Sequence, residues 1–529
     1  MTYERAADLD RALGDPRDPA NPCGFEAMVR RDAEAAYPQA LAARAALLRT
    51  GLLPGTAMDE LLMLVRVAGR RDVTVMPATL YSVTAATCVL LAGDERQREE
   101  VLRLIEAGEQ IGFALSEAEH GADLLANQCR LERGESGFRL HGRKWLVGAG
   151  RRCSALLVVA RSGGRGPSAF SAVLVRGAAL ERARVPVPAL PSAMRGADFG
   201  GFAFDHTELP ADALVGEPSR GLEIAMKAMQ VVRTTSTAAN LACADTGLRL
   251  TMDFAAAHHF GGRPLLEHGH VRRELGTAFA ALLACDVVAI TAARALHTLP
   301  GAQSLWASVA KKVLTELSEE VFTRCADVLG TRAVLDGPFS VARRDNQLVR
   351  FIDTGPVANL RLVCMQLRQL AAAEPEAQPS TELATTYTID RPLPTLRLAD
   401  LALSNRGRDE VTAALPAIDS RVAAELKLWR QDVRALAPGE DCQDLAERFC
   451  FLHAAASCLH LTWFTPALGE SLAPSVDLLL DRAAGGARRL SGAAAESAAS
   501  QAEGLHARGH LFSVAPLPLA EGSSTPWLG

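Results

Sequence analysis

Aromatic side chains are scarce, at 5% of the 529 residues, and alanine and leucine abound in their place, which favours helix over sheet. Basic runs are also lacking. With a net charge of −5 and no cluster of Lys and Arg, the chain has no electrostatic footprint for nucleic acid, and no nucleic-acid partner is expected. C-x-x-C spacing is absent: the eleven cysteines are scattered from Cys23 to Cys458, so most are expected as small core side chains in a reducing cytoplasm. The N-terminus MTYERAADLDRALG is charged and does not read as a signal segment, and no membrane-spanning run is expected. The patterns G-x-S-x-G, H-E-x-x-H, G-x-x-x-x-G-K-[ST] and a strand-borne G-x-G-x-x-G are missing, so serine hydrolase, zincin, P-loop and Rossmann readings have no signal. No internal repeat is found.

What is present divides by periodicity. At this length two to four domains are expected. Apolar residues at three- and four-residue spacing (LAARAALLRTGLL, MDELLMLVRVAG, ERQREEVLRLIEAG) predict an N-terminal helical domain over 1–110. Period-two runs bounded by Gly and Pro (SALLVVAR, SAVLVRG, FGGFAFDHTEL) predict a small middle β domain over 111–219. Long helical periods return over 220–372 and predict a bundle. The polar, Pro-rich stretch 373–396 reads as a linker, and 397–529 as an extra helical domain that ends in a tail, PLPLAEGSSTPWLG.

Chemistry concentrates between Gly112 and Gly150. A short apolar strand runs into Ser116, Glu117, Glu119, His120, Gly121 and Asp123, a bend whose amides and hydroxyl suit an anionic or ring-edge ligand; Trp145 follows behind Gly142, Arg143 and Lys144. By themselves these residues also fit a polar turn capped by Asp123 and a core tryptophan. Their order and spacing resemble the flavin-binding middle domain of the acyl-CoA dehydrogenase superfamily, with its F-A-L-T-E-P-x-x-G-S-D and, about twenty residues later, G-x-K-x-W-I-T-N. Three further segments are collinear with that family: DERQREEVLRLIEAGE, FDHTELPADALVGEPSRGLEIAMKAMQVVR, and ADVLGTRA with RFIDTGPVANLR. The likeness covers roughly residues 25 to 370. It implies an α+β multidomain fold, helical domain, small β domain and helical bundle, with a helical extension of the kind some long-chain members carry.

The resemblance implies FAD as cofactor, held by Leu115, Ser116, Gly121, Ala122, Trp145 and Val147 on the middle domain. His258, Phe260, Asp327 and Gly330 fall at its adenine end, and Thr354 and Gly355 in the segment that ordinarily carries the catalytic glutamate. Departures are plain. Ala122 and Val147 stand where members carry Ser and Thr hydroxyls, each worth about 1 kcal/mol as a hydrogen bond; Ala257 and Thr331 replace a usual Arg and Gly. An α,β-dehydrogenation needs a carboxylate for the α-proton, yet Thr354 occupies the usual glutamate position and Val232 the alternative one. Asp353, one residue away, is the candidate base, and equally a turn residue. Gln230 and Arg233 fall where the family contacts its acyl-thioester carrier. His258, His259, His268 and His270 lack Cys or acidic partners at ligand spacing, so no metal is expected. Three readings follow from the resemblance: a dehydrogenase acting on an acyl-CoA or acyl carrier protein thioester, a flavin-dependent monooxygenase on the same fold, or a related protein that has lost flavin. Partners implied are the thioester substrate, electron-transfer flavoprotein or oxygen as acceptor, and a second copy of the chain in a homodimer or homotetramer.

Overall fold

The computed structural model describes residues 3–43, 56–187, 191–376, 378–486 and 490–521. Among the described residues five α-helices come first: α1 (Glu4–Leu13), α2 (Phe25–Glu34), α3 (Met58–Gly69), α4 (Met76–Ala92) and α5 (Glu95–Glu106). Helix α5 starts sharply because Asp94 and Gln97 form a reciprocal capping box. Helix α4 is buried along most of its length despite five hydroxyl-bearing residues. Thr79, Ser82, Thr84 and Thr87 each donate to the carbonyl four residues back, so their polarity is satisfied within the helix.

Next come β1 (Ile111–Ala114), β2 (Arg130–Arg133), β3 (Gly137–Gly148), β4 (Ala155–Arg161), β5 (Phe170–Arg176), the short helix α6 (Gly177–Ala183), β6 (Arg184–Val185), β7 (Phe199–Pro210) and β8 (Leu214–Val215). They form one sheet in the order β6-β7-β3-β2-β4-β5-β8, with β1 added parallel to β4. The Ser82 hydroxyl accepts the Ile111 amide at 3.0 Å and so fixes the start of β1 against α4. Gly148 permits the same approach further on, since a Cβ there would lie 2.0 Å from the Tyr81 ring.

The bundle is α7 (Gly221–Ala257), α8 (Gly269–Thr298), α9 (Gln303–Leu329) and α10 (Pro338–Val349), followed by α11 (Pro356–Cys364) and α12 (Leu367–Ala372). Helix α7, about 55 Å long by its residue count, is buried on nearly all sides and forms the axis. Beyond it, α13 (Thr381–Tyr387), α14 (Glu410–Ala413), α15 (Ser420–Ala435), α16 (Gln443–Phe464), α17 (Gly469–Ala483) and α18 (Gly492–Ala507) complete a helical extension, of which α16, α17 and α18 pack on α8.

Three expectations are corrected. Val73–Ala92 and Gly269–Thr298 are long and apolar enough to cross a membrane, contrary to the sequence reading, but the fold buries most of the first and all of the second. The stretch 373–396 is not a free linker. It carries α13, and the buried Arg294 guanidinium donates to the carbonyls of Thr385, Thr386, Thr388, Ile389 and Arg391, folding the segment onto α8. The expected tail is docked as far as it is described. Within it Ala520 N donates to Asp10 at 2.6 Å, and just ahead of it Phe512 N donates to Asp245 at 3.0 Å and Val514 N to Asp286 at 2.7 Å. Those carboxylates are also paired with Arg66 on α3 and with Arg70 and Arg71 just after its C-terminus, so the C-terminal strap and the first helices share one buried ionic cluster. Residues 522–529 of that tail lie outside the described residues.

Candidate functional site

Two buried residues from one strand and one loop shape the first half of the site. Glu117 accepts the amides of Gln128 at 2.7 Å and Cys129 at 2.9 Å, and the Lys144 ammonium at 3.0 Å. Burial pushes its carboxyl upward, but Lys144 and the two amides outweigh that and hold it below the usual range. Lys144 also donates to the Leu115 carbonyl at 2.8 Å, an oxygen shared with the Asn127 amide, and Trp145 N donates to Ser116 O at 3.2 Å. The loop 115–117 is thereby laced to β3. Sequence reading gave Glu117 and Lys144 no role; the signal was a charged pair flanking the bend and the tryptophan.

A register shift between Lys144 and Val147, with Leu146 at φ 47, turns β3 at Trp145. Trp145 lines a cleft of about 640 Å³ together with Ala118, His120, Arg130 and Arg143. Neither guanidinium has a partner among the described residues. Gly121 and Ala122, which follow His120 in the chain, are exposed, and a Cβ on Gly121 would meet nothing within 4 Å. An indole, two free guanidinium groups and an accessible turn suit a ligand with a flat ring system and phosphates, and the volume is in the range of cofactor sites. The donor set fits FAD. Leu115 and Val147 are buried, and Ser116 is half-buried.

The second group lies on the bundle. Asp353 sits between α10 and α11 at φ 69, a conformation sparsely populated by residues other than glycine. Its side chain is 1% exposed, with Oδ2 3.6 Å from Lys311 Nζ on α9, and Lys311 also donates to Val349 O at 2.7 Å. Burial depresses the Lys311 ammonium, opposed by the Asp353 charge. Arg233 Nε donates to Thr354 Oγ1 at 2.8 Å, while its two terminal amino groups have no hydrogen-bond partner among the described residues. Burial lowers this guanidinium to about 10, and Asp353 opposes the fall. Tyr81 is pushed up by burial and then by the same Asp353 charge, which puts the α4 tyrosine that packs on Gly148 near the carboxylate. Gln230 Nε2 donates to Ala402 O at 2.8 Å, so the extension reaches the α7 face carrying Gln230 and Arg233; Gln230 Oε1 is left without a partner. Thr354 therefore supports Arg233, and Gly355 caps α11 ahead of Pro356. Sequence reasoning missed Tyr81 and Lys311, which look like ordinary members of helical runs.

The remaining residues sit apart. His258 is exposed and stacks on Phe254 at 4.9 Å, Phe260 is 68% exposed, Asp327 is exposed, and Gly330 ends α9 at φ 58. Among the described residues, no hydrogen bond, ion pair or ring contact joins this end set to Trp145 or to Asp353. His268 bonds the Phe260 carbonyl at 3.0 Å and His259 the Ala257 carbonyl at 3.1 Å, so two of the four neighbouring histidines are engaged with backbone.

With this geometry in place, comparison with known proteins is informative. Residues 112–207 match the middle domain of acyl-CoA dehydrogenase, and residues 219–364 its C-terminal domain. The mitochondrial 2-methylacyl-CoA dehydrogenase of Solanum tuberosum is 23% identical over 220 residues, 39% of this chain and 51% of that protein. The mitochondrial short-chain specific acyl-CoA dehydrogenase of Homo sapiens is 26% identical over 186 residues, 34% of this chain and 43% of that one. The chain thus spans about half the length of these sequence relatives. Butyryl-CoA dehydrogenase from Megasphaera elsdenii superposes with a TM-score of 0.64 at 18% identity, over 69% of this chain and 97% of that one. The prolyl acyl carrier protein oxidase AnaB does so with a TM-score of 0.61 at 16% identity, over 69% and 97%. These structural likenesses concern the fold.

Proposed function

This chain belongs to the acyl-CoA dehydrogenase family through its middle and C-terminal domains, and on that premise we propose that it is an FAD-dependent oxidoreductase that desaturates an acyl thioester borne by coenzyme A or an acyl carrier protein. The observation that carries the reading is one buried cluster holding both a carboxylate, Asp353, whose Oδ2 has only the Lys311 ion pair at 3.6 Å, and a guanidinium, that of Arg233, whose two terminal amino groups have no hydrogen-bond partner among the described residues. Desaturation removes the α-hydrogen as a proton and the β-hydrogen with its electron pair. Asp353 takes the proton on its carboxylate. Arg233 donates to the thioester oxygen, where charge develops as the proton leaves, and Gln230 orients the carrier. FAD would be held with Trp145 beside its ring and with Arg130, Arg143 and the amides of 118–122 toward its pyrophosphate. FAD, when bound, supplies the acceptor for the departing electron pair. Electron-transfer flavoprotein or oxygen then takes the electrons.

Phe260 at 68%, Val334 at 77% and Leu335 at 59% exposure lie in the same end region as His258 and Gly330. We read that face as the seat of a second copy, in a homodimer or homotetramer, that completes the adenine end.

A second reading, oxygen-dependent hydroxylation, is favoured by one observation: Lys311 already pairs with Asp353, the cluster's one carboxylate among the described residues. Anaerobic titration of the purified protein separates the two. Bleaching of the flavin band by acyl-CoA or acyl carrier protein thioesters, abolished in Asp353→Asn with flavin retained, is the expected result. Bleaching that survives Asp353→Asn removes Asp353 as base, and a colourless preparation that takes up no FAD removes the flavoenzyme reading.

A further inference from the structure

On the outer face of the sheet, β3 and β7 lose register between Leu140/Thr207 and Gly142/Phe204, so that Asp205 and His206 together oppose His141. In regular strands neighbouring side chains point to opposite faces. Here the extra residue sets both Asp205 and His206 toward solvent beside His141, and all three are exposed. The backbone is specialised for this. His206 lies at φ 45, in the left-handed region that non-glycine residues seldom enter, and Gly142 at φ 130, where a Cβ would lie 2.7 Å from the Cys129 backbone. The two imidazoles stack at 4.5 Å between centroids with an interplanar angle of 27°.

From this arrangement we propose that His141, Asp205 and His206 form a site for a divalent transition metal of the zinc class. One ligand atom from each lies within 4.8 Å of the others, and His141 Nδ1 is 3.7 Å from Asp205 Oδ1. Ligands about 2.0–2.2 Å from a tetrahedral ion stand about 3.4 Å apart, so a small rotation of exposed side chains closes the set. Two imidazoles and one carboxylate suit zinc and its borderline neighbours and do not suit magnesium or calcium, which select all-oxygen sites. Three protein ligands leave a fourth position for water or for an external donor. His141 also lines the Trp145 cleft, so that position opens at the cleft's rim. The site is separate from the four histidines 258, 259, 268 and 270, and it does not depend on the flavin reading.

Calorimetric titration of the chelator-treated full-length protein with zinc chloride tests the proposal, with cobalt(II) as a spectroscopic probe. One equivalent of zinc is expected to bind, cobalt is expected to show ligand-field absorption, and both signals are expected to weaken more than about tenfold in His141→Ala and in His206→Ala. Asp205→Asn should weaken them less, and His268→Ala should leave them unchanged. Because the three side chains are exposed, the variants are expected to keep the parent circular dichroism and melting curve. Absence of zinc binding, or binding unchanged in the His141→Ala/His206→Ala double variant, overturns the proposal and leaves His141 and Asp205 as a surface ion pair that forms when the imidazole is protonated.

Discussion

Lys311 Nζ stands 3.6 Å from Asp353 Oδ2, with both side chains almost wholly buried. The pair joins the middle of α9 to the loop between α10 and α11, and Arg233 of α7 reaches the same loop through Thr354. A buried ion is tolerated only with its partner, and removing one partner typically costs about 3–5 kcal/mol. Lys311→Met is therefore expected to lower unfolding stability by roughly that amount, while the Lys311→Met/Asp353→Asn double variant recovers a large part of the loss. A double-mutant cycle from urea melts measures the coupling. Additive losses would show that the two charges do not stabilise one another.

Much of this architecture is legible in the sequence, for physical reasons that differ by element. The three-layer order of helix, sheet and bundle follows from apolar periods of 3.6 and 2, and the Gly112–Gly150 segment advertises its site because Trp145, Gly121 and the acidic bend sit close in the chain. The Asp353 cluster is only half legible. Arg233 falls at a position the resemblance marks and Asp353 one residue from another, but Tyr81 and Lys311 join them through tertiary packing, from helices whose sequences look like plain core runs. Docking of 373–396 was hidden for the same reason: Arg294, almost a hundred residues upstream, satisfies carbonyls that composition alone leaves to water. The His141, Asp205 and His206 group was unreadable because alternation along a strand places Asp205 and His206 on opposite faces, and a register shift between β3 and β7 is not written in either strand.

On the proposed flavoenzyme reading, Lys144 supports cofactor retention. Its ammonium binds the Leu115 carbonyl and the Glu117 carboxylate, two points on the turn that presents Ser116 and Gly121. Without it, Glu117 keeps two backbone amides but loses the one cationic partner it has among the described residues. Lys144→Met is expected to reduce the flavin-to-protein ratio of the purified protein and to raise the concentration of added FAD needed for saturation, with little change in far-ultraviolet circular dichroism. Lys144→Arg should restore part of the effect. Full flavin occupancy in Lys144→Met would mean that the turn holds its shape without the lysine.

Glu521 closes the C-terminal strap onto the first helices. It pairs with Arg70 and, at 3.5 Å, with Arg249, and Arg17 lies 3.8 Å away. Burial pushes its carboxyl up, but Arg249 and Arg70 outweigh that and bring it down to about 2. A carboxyl depressed in the folded state binds fewer protons there than in the unfolded chain, so its contribution is complete above the ordinary value of about 4.5 and is lost as pH falls toward 2. At about 1.4 kcal/mol per unit, that contribution is of the order of 3 kcal/mol. Glu521→Gln is expected to remove it at neutral pH and to flatten the dependence of stability on pH between about 4.5 and 2. Because Asp10, Asp245 and Asp286 anchor the same strap, the variant should still fold, with the segment after Phe512 exchanging its amide hydrogens faster. Denaturant melts at a series of pH values, read with hydrogen exchange of residues 510–521, check both halves: an unchanged slope below pH 4.5 would show that Glu521 is screened by water and does not clasp the strap.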